Sequence, residues 1–279
     1  MSRTKKHLGL LIFQLLVIQV VHAQFYETIR SARPGQSIGA STMGKNIFQI
    51  QSGVDYFGYK INNTGIKGNG YLTNTVLRYG LTEMFEVGAF FEYKAESRTE
   101  NDIANAHNGL SNMVIGLRHQ ISIGEGLVPS IGFQFRLRLP VMSEYYNIDH
   151  IAPSFVFVTS QQLAKSVTLI TNLGASWNGN DATPTGLYTI NLSCAFTDTF
   201  GAFIENYGSV TQGTFETRMD TGVAWLVTPN LQLDLLGGFG NNHGLKDYFI
   251  STGFSWRTGR KNFNATRSSM LKTKQAASL

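Results

Sequence analysis

From Ile131 to Leu139 the chain reads Ile-Gly-Phe-Gln-Phe-Arg-Leu-Arg-Leu. Successive side chains of a strand project to opposite faces. Ile131, Phe133, Phe135, Leu137 and Leu139 therefore share one face, and Gly132, Gln134, Arg136 and Arg138 the other. The same period of two recurs along the chain without any helical period between the repeats, and it predicts strands at 46–58, 70–79, 85–94, 110–121, 127–139, 151–161, 166–177, 186–196, 200–207, 215–227, 231–238 and 247–256.

Connections alternate in character. Polar, Gly/Asn-rich stretches at 59–69, 95–109, 140–150, 178–185, 208–214 and 239–246 read as long loops, and 80–84, 122–126, 162–165, 197–199 and 228–230 as tight turns. Long outer loops and short periplasmic turns are the rule for outer-membrane barrels. An open sheet would leave unpaired backbone groups in lipid, so the expected fold is all-β: a closed antiparallel transmembrane β-barrel of twelve strands. Aromatic residues check the register. On the outward face Tyr79, Phe85, Phe196, Phe200, Trp225 and Trp256 fall near short turns, and Tyr71, Tyr93, Trp177, Tyr188 and Tyr248 near long loops, which makes two interfacial girdles.

The inward face is polar and carries both signs of charge: Gln49, Gln51, Asp55, Asn74, Arg78, Glu86, Glu92, Asn112, Arg118, Gln134, Arg136, Arg138, Glu205, Arg218, Asp220, Gln232 and Asp234. Two readings stand. The groups pair across the interior and brace the barrel, or they line a solute path. Eight strands give a filled interior and sixteen or more an open channel, so twelve lie between. Phe57, Tyr59, Phe90, Phe203 and Tyr207 share that face and supply apolar contacts beside Glu92, Arg136, Arg138 and Glu205, the mixture favoured by small-molecule sites. The candidate lumen and ligand residues are thus Phe57, Tyr59, Arg78, Phe90, Glu92, Arg118, Arg136, Arg138, Phe203, Glu205, Tyr207, Arg218 and Asp220. Gly88-Ala89-Phe90-Phe91-Glu92 and Gly201-Ala202-Phe203-Ile204-Glu205 repeat one pattern on two strands of the same direction.

The ends differ from the body. Arg3, Lys5 and Lys6 precede an apolar run from Leu8 to Val21 that closes on Val21-His22-Ala23, so residues 1–23 read as a signal peptide cleaved after Ala23. Residues 24–45, with Arg33-Pro34-Gly35-Gln36-Ser37, are too polar for lipid and are expected either inside the lumen or in the periplasm. The barrel occupies 46–256, and 257–279 form a basic, polar tail for which disorder is the default expectation. The net charge is +5 and the pI about 9.3. Three of the 23 basic residues belong to the leader and six to the tail. The 14 that remain face 18 acidic ones, which argues against a nucleic-acid-binding body. A mean hydropathy of −0.07 is what alternation produces, whereas a helical membrane protein would be plainly apolar. Cys194, the single cysteine, has no internal disulfide partner and shares the phase of lipid-facing residues.

Chemistry is sparse. His107-Asn108-Gly109-Leu110-Ser111-Asn112 brings a histidine near a serine, but no acid or oxyanion group accompanies them, and His119, His150 and His243 are isolated. The expectation is no enzyme, no catalytic residues, no metal and no cofactor. Gly237-Gly238-Phe239-Gly240 and Gly65-Ile66-Lys67-Gly68-Asn69-Gly70 lack a following helix and read as turns and strand ends.

Arg33-Pro34-Gly35-Gln36-Ser37, Arg78-Tyr79-Gly80-Leu81-Thr82 leading to Phe85-Glu86-Val87-Gly88, Asp220-Thr221-Gly222-Val223-Ala224-Trp225 running on to Gln232-Leu233-Asp234, and the closing Gly253-Phe254-Ser255-Trp256 together resemble outer-membrane transporters of the MetA pathway of phenol degradation. The resemblance spans residues 30 to 257, with two departures: Asn112 where such proteins often have an acid, and a tail beyond the last strand. It implies an outer-membrane channel or transporter for small aromatic or hydrophobic solutes in a Gram-negative cell. The expected partners are the bilayer, lipopolysaccharide and the barrel-assembly machinery, with no nucleic acid. The alternatives are a non-transporting barrel that binds a partner and, more remotely, an outer-membrane hydrolase.

Overall fold

A computed structural model describes residues 28–29 and 31–259; the expected leader and the tail from residue 260 lie outside the described residues. Twelve strands follow in chain order: β1 (Phe48–Ile61), β2 (Lys67–Gly80), β3 (Phe85–Glu100), β4 (Ile103–Ser122), β5 (Ser130–Arg138), β6 (Ala152–Ala164), β7 (Val167–Ser176), β8 (Thr185–Ala195), β9 (Phe200–Thr211), β10 (Thr214–Thr228), β11 (Leu231–Asn242) and β12 (Leu245–Arg257). Each pairs antiparallel with its neighbour in sequence. β12 returns to β1 through a register running from Gln49↔Arg257 to Ile61↔Leu245, which closes the barrel. Closure removes both sheet edges, each of whose free amides would cost several kcal/mol in hydrocarbon.

The lipid face follows the predicted alternation. Leu117, Phe157, Leu173, Ile190, Ile204, Leu235 and Ile250 are exposed, as are Tyr79, Phe85, Phe196, Phe200, Trp225 and Trp256 at one rim. Tyr71, Tyr93 and Tyr248 form the opposite girdle. There Tyr188 is half-buried, stacked on Phe215 at 5.6 Å and donating its hydroxyl to Asn206 at 3.0 Å. Cys194 is a free thiol in phase with the exposed Ile190 and Leu192.

Most of the expected long outer loops are not loops. β3 and β4 turn at Asn101-Asp102, β9 and β10 at Gln212-Gly213, and β11 and β12 at His243-Gly244, with positive φ at both residues of each pair. Such two-residue turns match the right-handed twist of the flanking strands. The segments 95–109, 208–214 and 239–246 are polar because their ladders rise above the membrane, where pairing needs no apolar face. The connection 59–69 likewise shrinks to 62–66, whereas 139–151 and 177–184 stay long. A bulge at Ser111, where Glu92↔Asn112 is followed by Tyr93↔Leu110, changes the phase of β4. Above it the odd-numbered residues, Gly109 and His107, point inward.

Candidate functional site

Residues 31–43 run inside the barrel without pairing as a strand, and inward side chains of the wall accept several of their amides; after a turn at Lys45-Asn46, Asn46 N donates to Gly80 O and Ile47 O accepts from Gly80 N at the end of β2. Ile29 N donates to Pro229 O at the short-turn rim. Ser31 Oγ then meets Ser255 Oγ at 2.6 Å and accepts from Gln51 Nε2 at 2.8 Å. Gln36 N and Ser37 N donate to the two carboxylate oxygens of Glu205 at 2.6 and 2.9 Å. Asn172 brackets Ile38, accepting from its N at 2.7 Å and donating to its O at 2.9 Å. Ala40 N donates to Ser160 Oγ, Thr42 N to Gln120 Oε1 and Met43 N to Glu86 Oε2, at 3.1, 3.2 and 3.1 Å. The segment therefore sweeps past β12, β9, β7, β6, β4 and β3 before entering β1. A buried amide left without an acceptor costs about 1–3 kcal/mol, so these side chains fix the path. Ile38 and Ala40 also pack on inward Val156 and Val158, with Ile170 beside them.

Arg33 anchors the segment through an ion pair. Its Nη2 lies 2.9 Å from Asp234 Oδ1, in an ion pair whose carboxylate side chain is fully covered. The same guanidinium donates to Asn74 Oδ1 and Ser251 Oγ, each at 2.9 Å. It lies flat on the inner wall because Gly53 and Gly253, opposite each other across β1 and β12, carry no side chain; a Cβ on Gly253 would come within 2.6 Å of Arg33 Nε. Asp234 reads as an ordinary lumen acid in the sequence. Its partner was not among the candidate residues, since nothing local shows that Arg33 enters the barrel.

The segment separates two spaces. On the short-turn side an open cavity of about 850 Å³ reaches Ile123, Lys165, Ser193 and Ala224. On the β1–β5 side a cavity of about 540 Å³ is bounded by Ala32, Arg33, Gly35, Gln36 and Ile38 of the segment and by Asp55, Leu72, Val76, Phe90, Glu92, Val114, Arg118 and Arg136 of the wall. Arg78 Nη2 pairs with Glu86 Oε1 at 2.6 Å, and Arg118 Nε stands 3.6 Å from the same oxygen. Arg136 Nε donates to Ser154 Oγ at 3.3 Å. Arg138 donates to Ser111 O at 3.3 Å and reaches Met142 and the Tyr146 carbonyl, tying the β5–β6 connection across the mouth. Ser111, lifted out of register by the bulge, donates to Glu92 Oε1 at 2.6 Å.

At the long-loop mouth Lys94 sits 4.8 Å from the Phe57 ring centre and 5.8 Å from that of Tyr146, within cation–π reach, and pairs with Glu96 at 2.5 Å. His107 stacks on Tyr145 at 3.6 Å. Tyr59 lies across Gly68 on the neighbouring strand. Tyr146, in the short 3₁₀ turn Glu144–Tyr146 of the β5–β6 connection, has its hydroxyl pushed up to about 12, by burial first and then by Glu96 and neighbouring tyrosines. Lys94, Glu96 and Tyr146 are absent from the candidate residues: Lys94 ends a predicted strand, Glu96 lies in a stretch expected as loop, and Tyr146 sits in a true loop that folds inward.

On the other wall, Phe203 packs its ring against Gly35, with Glu205 beyond it. Arg218 pairs with Asp247 at 3.0 Å and faces Tyr207 across the β9–β10 pairing. Asp220 is cross-strand to Glu205, and neither of its carboxylate oxygens has a hydrogen-bond partner among the described residues. All thirteen candidate residues thus share the inner face, but in three groups: the mouth, the cavity wall, and the wall that carries the segment. His107 and Ser111 have separate partners, Tyr145 and Glu92, and among the described residues no cluster of His, Cys, Asp or Glu could hold a metal.

A closed twelve-strand barrel with an apolar outer belt, two aromatic girdles and a charged lumen is an outer-membrane β-barrel of the porin-like class. The chain belongs to the family described as "Putative MetA-pathway of phenol degradation", whose model matches residues 31–258. No curated protein matches it. Among solved structures it is similar to the COG4313 outer membrane channel from Pseudomonas putida F1, with a TM-score of 0.63 at 10% identity, covering 82% of this chain and 100% of that one. It is also similar to the transport unit of the autotransporter AIDA-I from Escherichia coli, with a TM-score of 0.53 at 11% identity, covering 89% and 97%. The translocator domain of the autotransporter NalP from Neisseria meningitidis gives 0.51 at 13% identity, covering 77% and 89%. At these identities the likeness is one of fold.

Proposed function

We propose that the protein is an outer-membrane channel for passive passage of small aromatic or amphipathic solutes, with phenol-type compounds suggested by the family's name. The observation that carries this reading is the mixed apolar and charged cavity of about 540 Å³ inside a closed barrel. Only a single extended segment, hydrogen-bonded to the wall, separates it from the space at the short-turn rim. A solute entering past Lys94, Phe57 and Tyr146 would meet Phe90 and Val76 together with Arg136, and would leave by displacing or skirting residues 31–43. Lipopolysaccharide and the barrel-assembly machinery are the proposed partners. Export is proposed through a leader removed after Ala23, and N-terminal sequencing of membrane-extracted protein should begin at Gln24.

Liposome swelling with solutes of graded size and polarity tests the channel. Small aromatic solutes should swell vesicles faster than sugars of equal mass. The number of wall contacts made by residues 31–43 favours one rival, a barrel that binds a partner and passes nothing; absence of flux for every solute would select it.

A further inference from the structure

We propose that the cavity on the β1–β5 side is a binding site for small organic carboxylates with an apolar body, anchored by the Arg136 guanidinium. This deepens the channel reading and rests on it only for the ligand's route of entry.

Charge singles out Arg136 among the cavity's basic residues. Four arginines line the cavity, and three are engaged by acids: Arg33 by Asp234, and Arg78 and Arg118 by Glu86. Arg136 has one neutral contact, Ser154 Oγ at 3.3 Å, and no acidic partner among the described residues. Its side chain crosses the inner wall at Gly116, where an added Cβ would lie 2.9 Å from Arg136 Cγ, so the guanidinium is held along the cavity wall. A cation left unpaired in a partly dehydrated space is costly, and the planar fork of a guanidinium matches a carboxylate through two parallel hydrogen bonds.

The lining acids do not cancel this cation. Glu92 accepts the Ser111 hydroxyl at 2.6 Å and has Lys94 and Arg138 as electrostatic neighbours. Asp55, on β1 and four strands from Arg136, accepts from Asn74 at 3.4 Å with Arg33 beside it. Its position orients a ligand with the carboxylate toward β5 and the body toward β1 and β2. Leu72, Val76, Phe90 and Val114 supply the apolar surface for that body. Volume agrees, since about 540 Å³ falls within the roughly 300–1,000 Å³ of small-molecule sites.

The test is calorimetric titration of the full protein in detergent at neutral pH with three probes of one shape: benzoate, benzyl alcohol and benzylammonium. Benzoate should bind about tenfold or more tightly than either, as a charge-assisted contact implies. Arg136→Gln should weaken benzoate by about the same factor while leaving benzyl alcohol unchanged, and Arg136→Lys should recover part of the loss. Heat-modifiable gel mobility shows whether each variant has assembled. If Arg136→Gln does not assemble, Val76→Phe, which narrows the apolar part of the cavity and leaves every charge in place, should weaken benzoate binding about tenfold. No benzoate binding by the wild type, equal affinity for the three probes, or undiminished binding by Arg136→Gln or Val76→Phe overturns the site. Failure here is distinct from failure of the channel. Swelling by neutral aromatics without benzoate binding removes the site and keeps the path, and benzoate binding without swelling does the reverse.

Discussion

Glu205 and Arg136 occupy equivalent places in the pattern, inward on mid-wall strands, yet the two sides of the lumen treat them in opposite ways. Glu205 is 1% exposed, and its carboxylate accepts two backbone amides of the N-terminal segment and the Asn191 side chain at 3.0 Å. Arg136 has a serine and a cavity. On the β6–β9 side Val156, Val158, Asn172 and Ser160 complete a surface that a passing chain can bond and pack against. On the β2–β5 side Gly88 and Gly116 lie cross-strand to each other, and the arginines lie across glycines beside an open space. A twelve-strand lumen is too wide for side chains alone to fill and too narrow to ignore a segment that enters it. The side whose side chains accept the segment's amides takes the chain, and the side with arginines keeps the room.

The register on which this contrast rests carries the largest expected effect. Leu137→Arg places a guanidinium against acyl chains and should destabilise the barrel by about 2–4 kcal/mol near the midplane, more than Arg138→Leu, in folding titrations into liposomes. Equal effects would mean that the alternation is shifted by one residue and that the two sides are misassigned.

Glu205→Ala should loosen the segment. Two amides lose a charged acceptor, each such contact contributing about 1.5–3 kcal/mol, so trypsin cleavage after Lys45 should accelerate about tenfold or more in an assembled barrel and conductance should rise. Unchanged protection would show that Arg33, with its hold on Asp234, Asn74 and Ser251, keeps the segment seated alone.

Val158→Ala removes part of the apolar seat beneath Ile38 and Ala40 and should cost about 1–2 kcal/mol. The same change at Val114, on the open side, should cost less, and a chemical denaturation pair measures the difference.

The smallest effect is expected at Glu92. Glu92→Gln should move the reversal potential under a salt gradient modestly toward anion selectivity, because a narrow passage amplifies the field of the charges lining it while Lys94 and Arg138 mute this one. No shift in a conducting channel would remove Glu92 from the path.

Alternation along the chain determined the strand number, the antiparallel closure and which residues face lipid, because those depend on local pleat and on the intolerance of hydrocarbon for free amides. The inward phase of Arg136, Glu205 and Asp220 was legible for the same reason. Strand ends above the membrane were not, since paired polar strands and polar loops look alike once no apolar face is required; 95–109 is the clearest instance. The bulge at Ser111, which turns His107 inward, leaves no mark in composition. Above all, the path of residues 31–47 depends on partners more than a hundred positions away, Arg33 on Asp234 and Ile38 on Asn172, and such pairings exist only once the barrel has closed and brought those walls within reach of one another.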